Sequence, residues 1–208
     1  SPIMHNAAFA ALGLDAVYLA FDVTPERLPM VLPVLQELGF GGVNLTIPLK
    51  ETAYRFLSNL DESAQLLGAV NTIAFHAAGP VGHNTDGYGF LQSVSESFGG
   101  AVAGRSVFIL GAGGAGRAIA LTCAKAGVRS LAVADLNRDF CVTLKRDAAH
   151  VAPSLSVQLP ATPDEVAAEA RAADIIVQAT PVGMKKDDAS PLPPQAFRPG
   201  QWALDLIY

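Results

Sequence analysis

Hydrophobic residues recur along this chain in two patterns: short unbroken apolar runs, and longer stretches with apolar positions three or four residues apart. The first pattern predicts buried strands and the second predicts amphipathic helices. In the first half, helices are predicted over 1–12, 24–38, 48–57 and 87–98, and strands over 17–23, 42–46, 68–76 and 81–84. In the second half, strands are predicted over 106–110, 130–134, 155–158, 174–178 and 202–206, and helices over 115–126, 138–150 and 163–172. Strands and helices alternate, so the predicted fold class is α/β.

Single residues refine these elements. Pro33 lies inside the second predicted helix and is expected to bend or split it, because proline removes a backbone donor. Asp61 is expected to cap a short helix, and Asp86 to cap the helix over 87–98. The run at 81–84 is predicted to pair with the preceding strand as a hairpin.

A glycine-rich stretch at 99–104 separates the two halves. We therefore predict one domain over 1–100 and a second over 101–208. The chain opens at Ser1 without an initiator methionine and stops at Tyr208 straight after an apolar strand, so both ends are expected to be incomplete.

Composition narrows the function classes. Half of the residues are hydrophobic and 16% are charged, which excludes disorder and favours buried parallel strands. A net charge of −5 argues against a nucleic-acid partner, and no apolar run is long enough to span a membrane. Cys123 and Cys141 fit no metal or redox spacing, and the histidines form no i,i+4 pair, so no metal site is expected. Small buried cysteines indicate a reducing, cytoplasmic setting.

The strongest local motif follows the predicted strand over 106–110. Gly111, Gly113 and Gly116 form a G-x-G-x-x-G pattern between a strand and a helix, as in a phosphate-binding loop whose helix amides face an anion. Asp135 ends the next strand, where a carboxylate would bind a ribose diol. The predicted dinucleotide-binding residues of the loop are Gly111, Ala112, Gly113, Gly114 and Ala115. The alternative is a glycine turn in a βαβ unit that binds no nucleotide.

Three polar clusters occupy predicted strand ends in the first half, at 44–50, 68–72 and 84–86. Each has a structural alternative, since Asn, Thr and Asp commonly cap helices and Lys50 could be a solvated lysine. Together they supply hydroxyl, amide, ammonium and carboxylate groups that suit a small polyhydroxylated acid. A lysine beside an aspartate can also give and take a proton, which makes Lys50 and Asp86 the candidate catalytic pair.

At these residues the sequence resembles the shikimate dehydrogenases. Five motifs occur in that family's order and spacing: Ser-Pro-x-Met-His-Asn at 1–6, Asn-Leu-Thr-Ile-Pro-Leu-Lys at 44–50, Gly-Ala-Val-Asn-Thr at 68–72, Asn-Thr-Asp-Gly at 84–87 and Gly-Ala-Gly-Gly-Ala at 111–115. The resemblance implies an N-terminal α/β substrate domain, a C-terminal Rossmann-like dinucleotide-binding domain and a cleft between them. It also implies closing helices beyond Tyr208.

The resemblance also implies roles for individual residues. Lys50 is matched to the catalytic lysine, and Asp86 to the carboxylate that holds it and a substrate hydroxyl. The implied substrate ligands are Ser1, Thr46, Asn71 and Tyr208. The implied cofactor contacts outside the glycine loop are Glu62, Thr180 in the turn over the nicotinamide, and Leu206.

The function implied is an oxidoreductase that interconverts 3-dehydroshikimate and shikimate with NAD(P)(H), in the shikimate pathway of aromatic amino acid biosynthesis. A quinate/shikimate dehydrogenase that uses NAD is the alternative, and a catalytically silent nucleotide-binding module is a remote one. The methylene-tetrahydrofolate dehydrogenase type shares the two-domain plan, but the 68–72 and 84–87 motifs speak against it. The expected partner is a small-molecule substrate, bound by a monomer or a homodimer.

The choice of cofactor depends on the segment Asp135-Leu136-Asn137-Arg138. NADP-dependent members usually have Asn-Arg-Thr here, so that guanidinium groups bind the 2′-phosphate. In the gap-free register Asp135 replaces the asparagine, and its carboxylate would repel a phosphate, which favours NAD. A shift of two residues aligns Asn137-Arg138 with the NADP motif, so NADP stays open.

Overall fold

The computed structural model describes residues 1–207, and Tyr208 lies outside the described residues. The first half forms a three-stranded antiparallel sheet in the order β1-β2-β3. Its strands are β1 (Gly42–Asn44), β2 (Thr72–His76) and β3 (Gly79–His83). Its helices are α1 (Pro2–Ala11), α2 (Leu28–Glu37), α3 (Leu49–Phe56), α4 (Glu62–Leu67) and α5 (Asp86–Phe98).

The second half forms a five-stranded parallel sheet in the order β6-β5-β4-β7-β8. Its strands are β4 (Ser106–Leu110), β5 (Ser130–Ala134), β6 (Ser156–Gln158), β7 (Ile175–Gln178) and β8 (Trp202–Asp205). Its α-helices are α6 (Gly114–Lys125), α7 (Arg138–Val151) and α8 (Pro163–Ala172), and a short 3₁₀ helix spans Pro194–Ala196. This is the open, helix-covered sheet of dinucleotide-binding domains, which confirms the predicted α/β class with a Rossmann-like half.

The central strands of the parallel sheet are apolar on both faces because helices cover both sides. Val107 and Ile109 point into one buried cluster, and Phe108 points into another. Phe90 and Val94 of α5 pack into the first of these clusters, although they precede the glycine-rich stretch. The helix that follows Asp86 is therefore anchored on the parallel sheet. The domain boundary at residue 100 stays a prediction.

The predicted strand over 17–23 is wrong, since within residues 1–207 this segment pairs with no strand. Its alternating apolar pattern favours an extended backbone, but a strand also requires a hydrogen-bonded neighbour. The Tyr18 amide instead donates to Asn6 Oδ1 at 2.7 Å, and Asn6 Nδ2 donates to the Tyr18 carbonyl at 3.0 Å. Leu19 and Phe21 are about half exposed, at 49% and 54%.

Of the two effects expected at Pro33, a split does not occur, because α2 runs as one helix through it. The helix begins only a turn earlier, so the proline costs one hydrogen bond, the one that would reach the carbonyl of residue 29. Leu28, Leu32 and Leu35 are buried along one face and hold the helix in place.

Two further expectations about helix starts have different outcomes. Asp61 caps α4 as predicted, because its Oδ1 accepts from the Ala64 amide at 2.9 Å. Asp86 does not cap α5, since Thr85 is the N-cap residue and Asp86 is the first helical residue. Among residues 1–207, no helix is both long and apolar enough to cross a membrane.

Candidate active site

Lys50 and Asp86 form an ion pair, with Lys50 Nζ 2.7 Å from Asp86 Oδ2. Lys50 lies in the first turn of α3 and Asp86 opens α5, so the pair joins two helices that are far apart in sequence. The other oxygen of Asp86 accepts from Asn71 Nδ2 at 2.8 Å. The two side chains remain 28% and 33% exposed, which leaves them open to a ligand.

Asn71, which is itself buried, organises the loop that precedes Asp86. Its Oδ1 accepts from the Thr85 amide at 3.0 Å, while its backbone amide donates to the His83 carbonyl at 3.0 Å. The Thr85 hydroxyl and the Asp86 carboxylate both accept from Asn71 Nδ2. One amide side chain thus orients the carboxylate that holds Lys50.

Asn84, which the sequence interpretation treated only as part of a cluster, holds the loop that precedes Asp86. It is 3% exposed, and its Oδ1 accepts from the Asp86 amide at 3.0 Å while its Nδ2 donates to the Ala69 carbonyl at 3.0 Å. Its own amide donates to Ser63 Oγ at 2.8 Å. The signal was present, because an asparagine directly before Thr-Asp fits a local turn of this kind.

Asp61 stabilises the loop that precedes Asp86 through Ser63 and His83. Its carboxylate accepts from Ser63 Oγ at 2.6 Å and lies 2.7 Å from His83 Nδ1. Burial by itself would raise the pKa of the Asp61 carboxyl, but hydrogen bonds from Ser63, Ala64 and His83 outweigh it and lower that pKa below its ordinary value. The carboxyl therefore stays ionised and keeps Ser63 in place to hold Asn84.

A groove of about 660 Å³ opens beside the ion pair. Its walls include five of the residues predicted to bind substrate or to catalyse, namely Ser1, Thr46, Lys50, Asn71 and Asp86. A polar cluster in an otherwise apolar groove is typical of small-molecule sites. The structure thus brings these predicted residues together around one cavity.

The glycine loop leads from β4 into α6 as predicted. Gly111 has a φ of 104°, and a Cβ added there would lie 2.8 Å from the Ala179 backbone. A Cβ at Gly116 would lie only 1.9 Å from the Gly111 carbonyl oxygen, so the helix must approach the loop closely. A Cβ added at Gly113 or at Gly114 would have no other heavy atom within 4 Å. The first-turn amides of α6 therefore border open space, which fits the pyrophosphate of a dinucleotide.

Asp135 follows β5 beside this loop. Its Oδ2 accepts from the Ala112 amide at 2.7 Å and its Oδ1 from the Asn137 amide at 2.8 Å. The carboxylate thus closes the loop and retains lone pairs for a ribose diol. Leu136 is fully exposed, and the Arg138 guanidinium donates to the Leu159 and Pro160 carbonyls at 3.1 and 2.8 Å.

The turn after β7 contains the predicted Thr180. Gln178, another residue that sequence interpretation missed, accepts from the Thr180 amide at 2.7 Å and donates to the Val182 carbonyl at 2.7 Å. Leu206 lies against the same strand end, because its amide donates to the Gln178 carbonyl at 3.1 Å. The Gln178 side chain is buried, and its amide group holds the turn through these hydrogen bonds.

Glu62 lies away from the glycine loop. Its side chain is 83% exposed and accepts a hydrogen bond from Lys125, the last residue of α6. Lys125 lies eleven positions after Gly114, about 16 Å along the helix at 1.5 Å per residue. The structure does not bring Glu62 to the nucleotide end of α6, and Tyr208 lies outside the described residues. Within residues 1–207, no cluster of three or more His, Cys, Asp or Glu residues could hold a metal ion.

A parallel sheet with a glycine loop at its carboxyl edge, together with a groove that holds a lysine–aspartate pair, defines a dinucleotide-binding α/β protein with a separate small-molecule site. The family model described as the shikimate dehydrogenase substrate binding domain matches residues 1–73. The chain is 44% identical, over its full length, to a shikimate dehydrogenase (NADP(+)) from Moorella thermoacetica, of which it covers 70%. The chain therefore belongs to the shikimate dehydrogenase family.

Solved structures agree with this assignment. The fold matches a shikimate 5-dehydrogenase from Listeria monocytogenes in complex with shikimate and NAD, with a TM-score of 0.88 and 33% identity. It also matches a quinate dehydrogenase from Corynebacterium glutamicum in complex with NAD, with a TM-score of 0.85 and 32% identity. Both alignments cover all of this chain, and they cover 73% and 75% of the other chains.

Proposed function

We propose that this chain is an oxidoreductase that interconverts 3-dehydroshikimate and shikimate with NAD(P)(H), in the shikimate pathway of aromatic amino acid biosynthesis. The observation that carries the proposal is the Lys50–Asp86 ion pair in a groove beside a dinucleotide-binding fold. Relatives named shikimate dehydrogenase (NADP(+)), at 36–44% identity across the full chain, support it. These names do not favour the quinate alternative.

Each of the five predicted site residues in the groove has a proposed task. Lys50 exchanges the proton of the substrate hydroxyl that becomes a carbonyl, and Asp86 orients that ammonium and a neighbouring hydroxyl. Asn71 binds ring hydroxyls, and Thr46 and Ser1 bind the carboxylate end. The position of these five residues around one groove supports the assignment. Tyr208 is proposed as a further substrate contact from the sequence resemblance alone.

The residues present fit a dinucleotide. The segment from Gly111 to Ala115 would hold its pyrophosphate, Asp135 its adenosine ribose, and Thr180 and Leu206 its nicotinamide half. When bound, the nicotinamide supplies the hydride donor or acceptor. The glycine-bordered space at the start of α6 supports this placement. The preference for NAD that we predicted from Asp135 finds no support in the relatives, which are named for NADP⁺.

The proposal is tested by initial rates of the full-length protein with shikimate and with quinate, each with NAD⁺ and with NADP⁺. We expect turnover of shikimate. Faster turnover of quinate would replace the proposal by the quinate alternative. Nucleotide binding without turnover of either acid would replace it by the silent module.

We also propose a cytoplasmic setting and a monomer or homodimer. Cys123 and Cys141 support the first, since both are buried thiols without a disulfide partner. Burial raises the pKa of the Cys123 thiol to about 12, so this thiol stays protonated at neutral pH. Sedimentation of the full-length protein would decide its oligomeric state.

A further inference from the structure

Arg117 lies in the first turns of α6, directly after the glycine loop, and reaches across to the other half of the molecule. Its Nε and Nη2 donate to Asp147 Oδ2, at 3.0 and 2.9 Å, and its Nη1 donates to the Leu67 carbonyl. The two charged side chains are partly buried, with 31% and 21% of their surfaces exposed. A planar guanidinium can make both contacts at once because its donors point along fixed directions.

The contact with Leu67 occurs at a helix end. Leu67 is the last residue of α4, and Gly68 ends the helix in the left-handed conformation with a φ of 63°. The last carbonyls of a helix lack intrahelical partners and carry the negative end of its dipole. A cation there satisfies one carbonyl and holds the helix end. Asp147 on α7 keeps that cation directed at Leu67.

The four residues after Leu67 lead straight to the proposed catalytic pair. The Ala69 carbonyl accepts from Asn84, which in turn holds the Asp86 amide. The Val70 amide donates to the Lys50 carbonyl at 3.0 Å. Asn71 then donates to the Asp86 carboxylate. The turn over 68–71 therefore contacts the backbone of Lys50, the side chain of Asn84 and the Asp86 carboxylate.

We propose that Arg117 is a positioning residue: it ties the turn over 68–71 to the start of α6, and so sets the Lys50–Asp86 pair at a defined distance from the glycine loop. This inference rests on the proposed function, because the reaction requires the proton donor at the oxygen and the nicotinamide at the carbon of the same C–O bond. Arg117 acts through Leu67 and touches neither ligand. Its loss would misplace the catalytic pair while leaving the glycine loop intact.

The test replaces Arg117 by methionine in the full-length protein, which keeps the stem and removes the guanidinium. In R117M we expect kcat to fall about 10- to 100-fold, since displacements near 1 Å have such effects on aligned reactants. The dinucleotide Kd is expected to stay within about twofold of wild type, because ground-state binding is unchanged. R117K keeps the positive charge but lacks the several N–H donors of the guanidinium, so its kcat should lie between those of R117M and wild type.

The matched control is R129M. Arg129 also forms an ion pair, with Asp174 at 2.7 Å, but lies at the opposite end of the parallel sheet. We expect R129M to keep the kcat of wild type. A fall of kcat in R129M equal to that in R117M would overturn the proposal, as would an R117M enzyme with unchanged kcat. A dinucleotide Kd that rises in proportion to the loss of kcat would make Arg117 a nucleotide ligand and also overturn it.

Hydrogen exchange separates this inference from the proposed function. The Val70 amide should exchange faster in R117M than in wild type or R129M, whether or not the protein turns over shikimate. If wild type fails to oxidise shikimate while this difference is present, the proposed function fails and the positioning role stands. If the Val70 amide exchanges equally in all three proteins, the positioning role fails.

Discussion

Asp86 shows how one side chain is redirected by its surroundings. By type and place it resembles a helix cap, yet its two oxygens accept from Lys50 and Asn71. The Thr85 and Asp86 amides are satisfied instead by the Asn71 and Asn84 side chains. Because the side chains of Asn71 and Asn84 accept from these backbone amides, the Asp86 carboxylate is available to bind Lys50 at the groove.

Replacing Lys50 by methionine is expected to lower kcat for shikimate by about 10²- to 10⁴-fold, the range lost with a general acid–base group. The dinucleotide Kd should change little, since Lys50 lies in the groove and not in the glycine loop. Steady-state kinetics and nucleotide fluorescence measure the two quantities. K145M, which removes an exposed lysine of α7, is the control and should keep wild-type rates. A K50M enzyme with near wild-type kcat would remove Lys50 from the mechanism.

Cofactor choice is also a matter of single side chains. The double variant D135N/L136R removes a carboxylate from the end of β5 and adds a guanidinium at a fully exposed position. We expect kcat/KM with NADP⁺ to rise relative to NAD⁺ by about tenfold or more, because charge–charge repulsion is replaced by a phosphate contact. R138M is the companion variant. If R138M alone abolishes use of NADP⁺, the guanidinium that now contacts Leu159 and Pro160 is the phosphate ligand, and the shifted register holds.

At the scale of elements, α6 connects the two halves. Its first turn borders the glycine loop, Arg117 reaches the end of α4, and Thr122 packs against Gly87 of α5. A Cβ on Gly87 would lie 2.2 Å from Thr122 Oγ1, so the two helices touch through a glycine. Since Gly87 directly follows Asp86, this contact places the start of α5 beside Thr122, which lies about 12 Å along α6 from Gly114 at 1.5 Å per residue.

Substituting Gly87 by alanine should push α5 away from α6. We expect G87A to lower the free energy of unfolding by about 1–3 kcal/mol, the usual cost of overpacking, and to lower kcat as well. G89A is the matched control in the same helix, because a Cβ at Gly89 meets nothing within 4 Å. It should stabilise the protein by up to about 1 kcal/mol through helix propensity. Urea unfolding and steady-state kinetics measure both effects, and a G87A/T122A variant that regains neither would contradict the steric explanation.

Across the parallel sheet, Asp174 forms hydrogen bonds and ion pairs with residues at the beginnings of several strands. Its carboxylate accepts from the Ser106 amide at 2.9 Å and hydroxyl at 3.0 Å, and pairs with Arg129 at 2.7 Å and Arg198 at 3.5 Å. The Ser106 amide is the main cause that lowers the pKa of the Asp174 carboxyl below its ordinary value. These contacts join the beginnings of β4 and β5 and the loop before β8.

Because its folded pKa is lowered, Asp174 stabilises the protein above its unfolded pKa, and that stabilisation is lost as the pH falls through the folded pKa. D174N should therefore reduce the free energy of unfolding by about 1–3 kcal/mol at pH 7, as the charged acceptor is lost. The difference from wild type should shrink below about pH 4. Urea denaturation at several pH values tests this. The control is D187N, in an exposed loop, whose free energy of unfolding should stay within about 0.5 kcal/mol of wild type at every pH. If D174N remains less stable than wild type at low pH, the lost charge is not the cause of its lower stability.

The parallel half and its glycine loop could be predicted from local sequence patterns alone. There, each strand is a continuous apolar run and each helix has local start and stop signals. The G-x-G-x-x-G pattern by itself predicts a tight turn between a strand and a helix. All five predicted strands of this half are present within one or two residues of their predicted ends. The catalytic candidates Lys50 and Asp86 were also visible, because five spaced motifs place them in one family.

Features that depend on partners distant in sequence could not be predicted and became apparent in the folded chain. The segment 17–23 has the right pattern for a strand, but whether it becomes one depends on a neighbouring backbone that the pattern does not reveal. The contacts of Asn84, Gln178 and Arg117 were likewise unpredicted, because an amide or guanidinium gains its role from the carbonyls that the fold brings to it. Local backbone preferences act within a few residues and are encoded there, whereas hydrogen bonds across the fold exist only once the chain has folded.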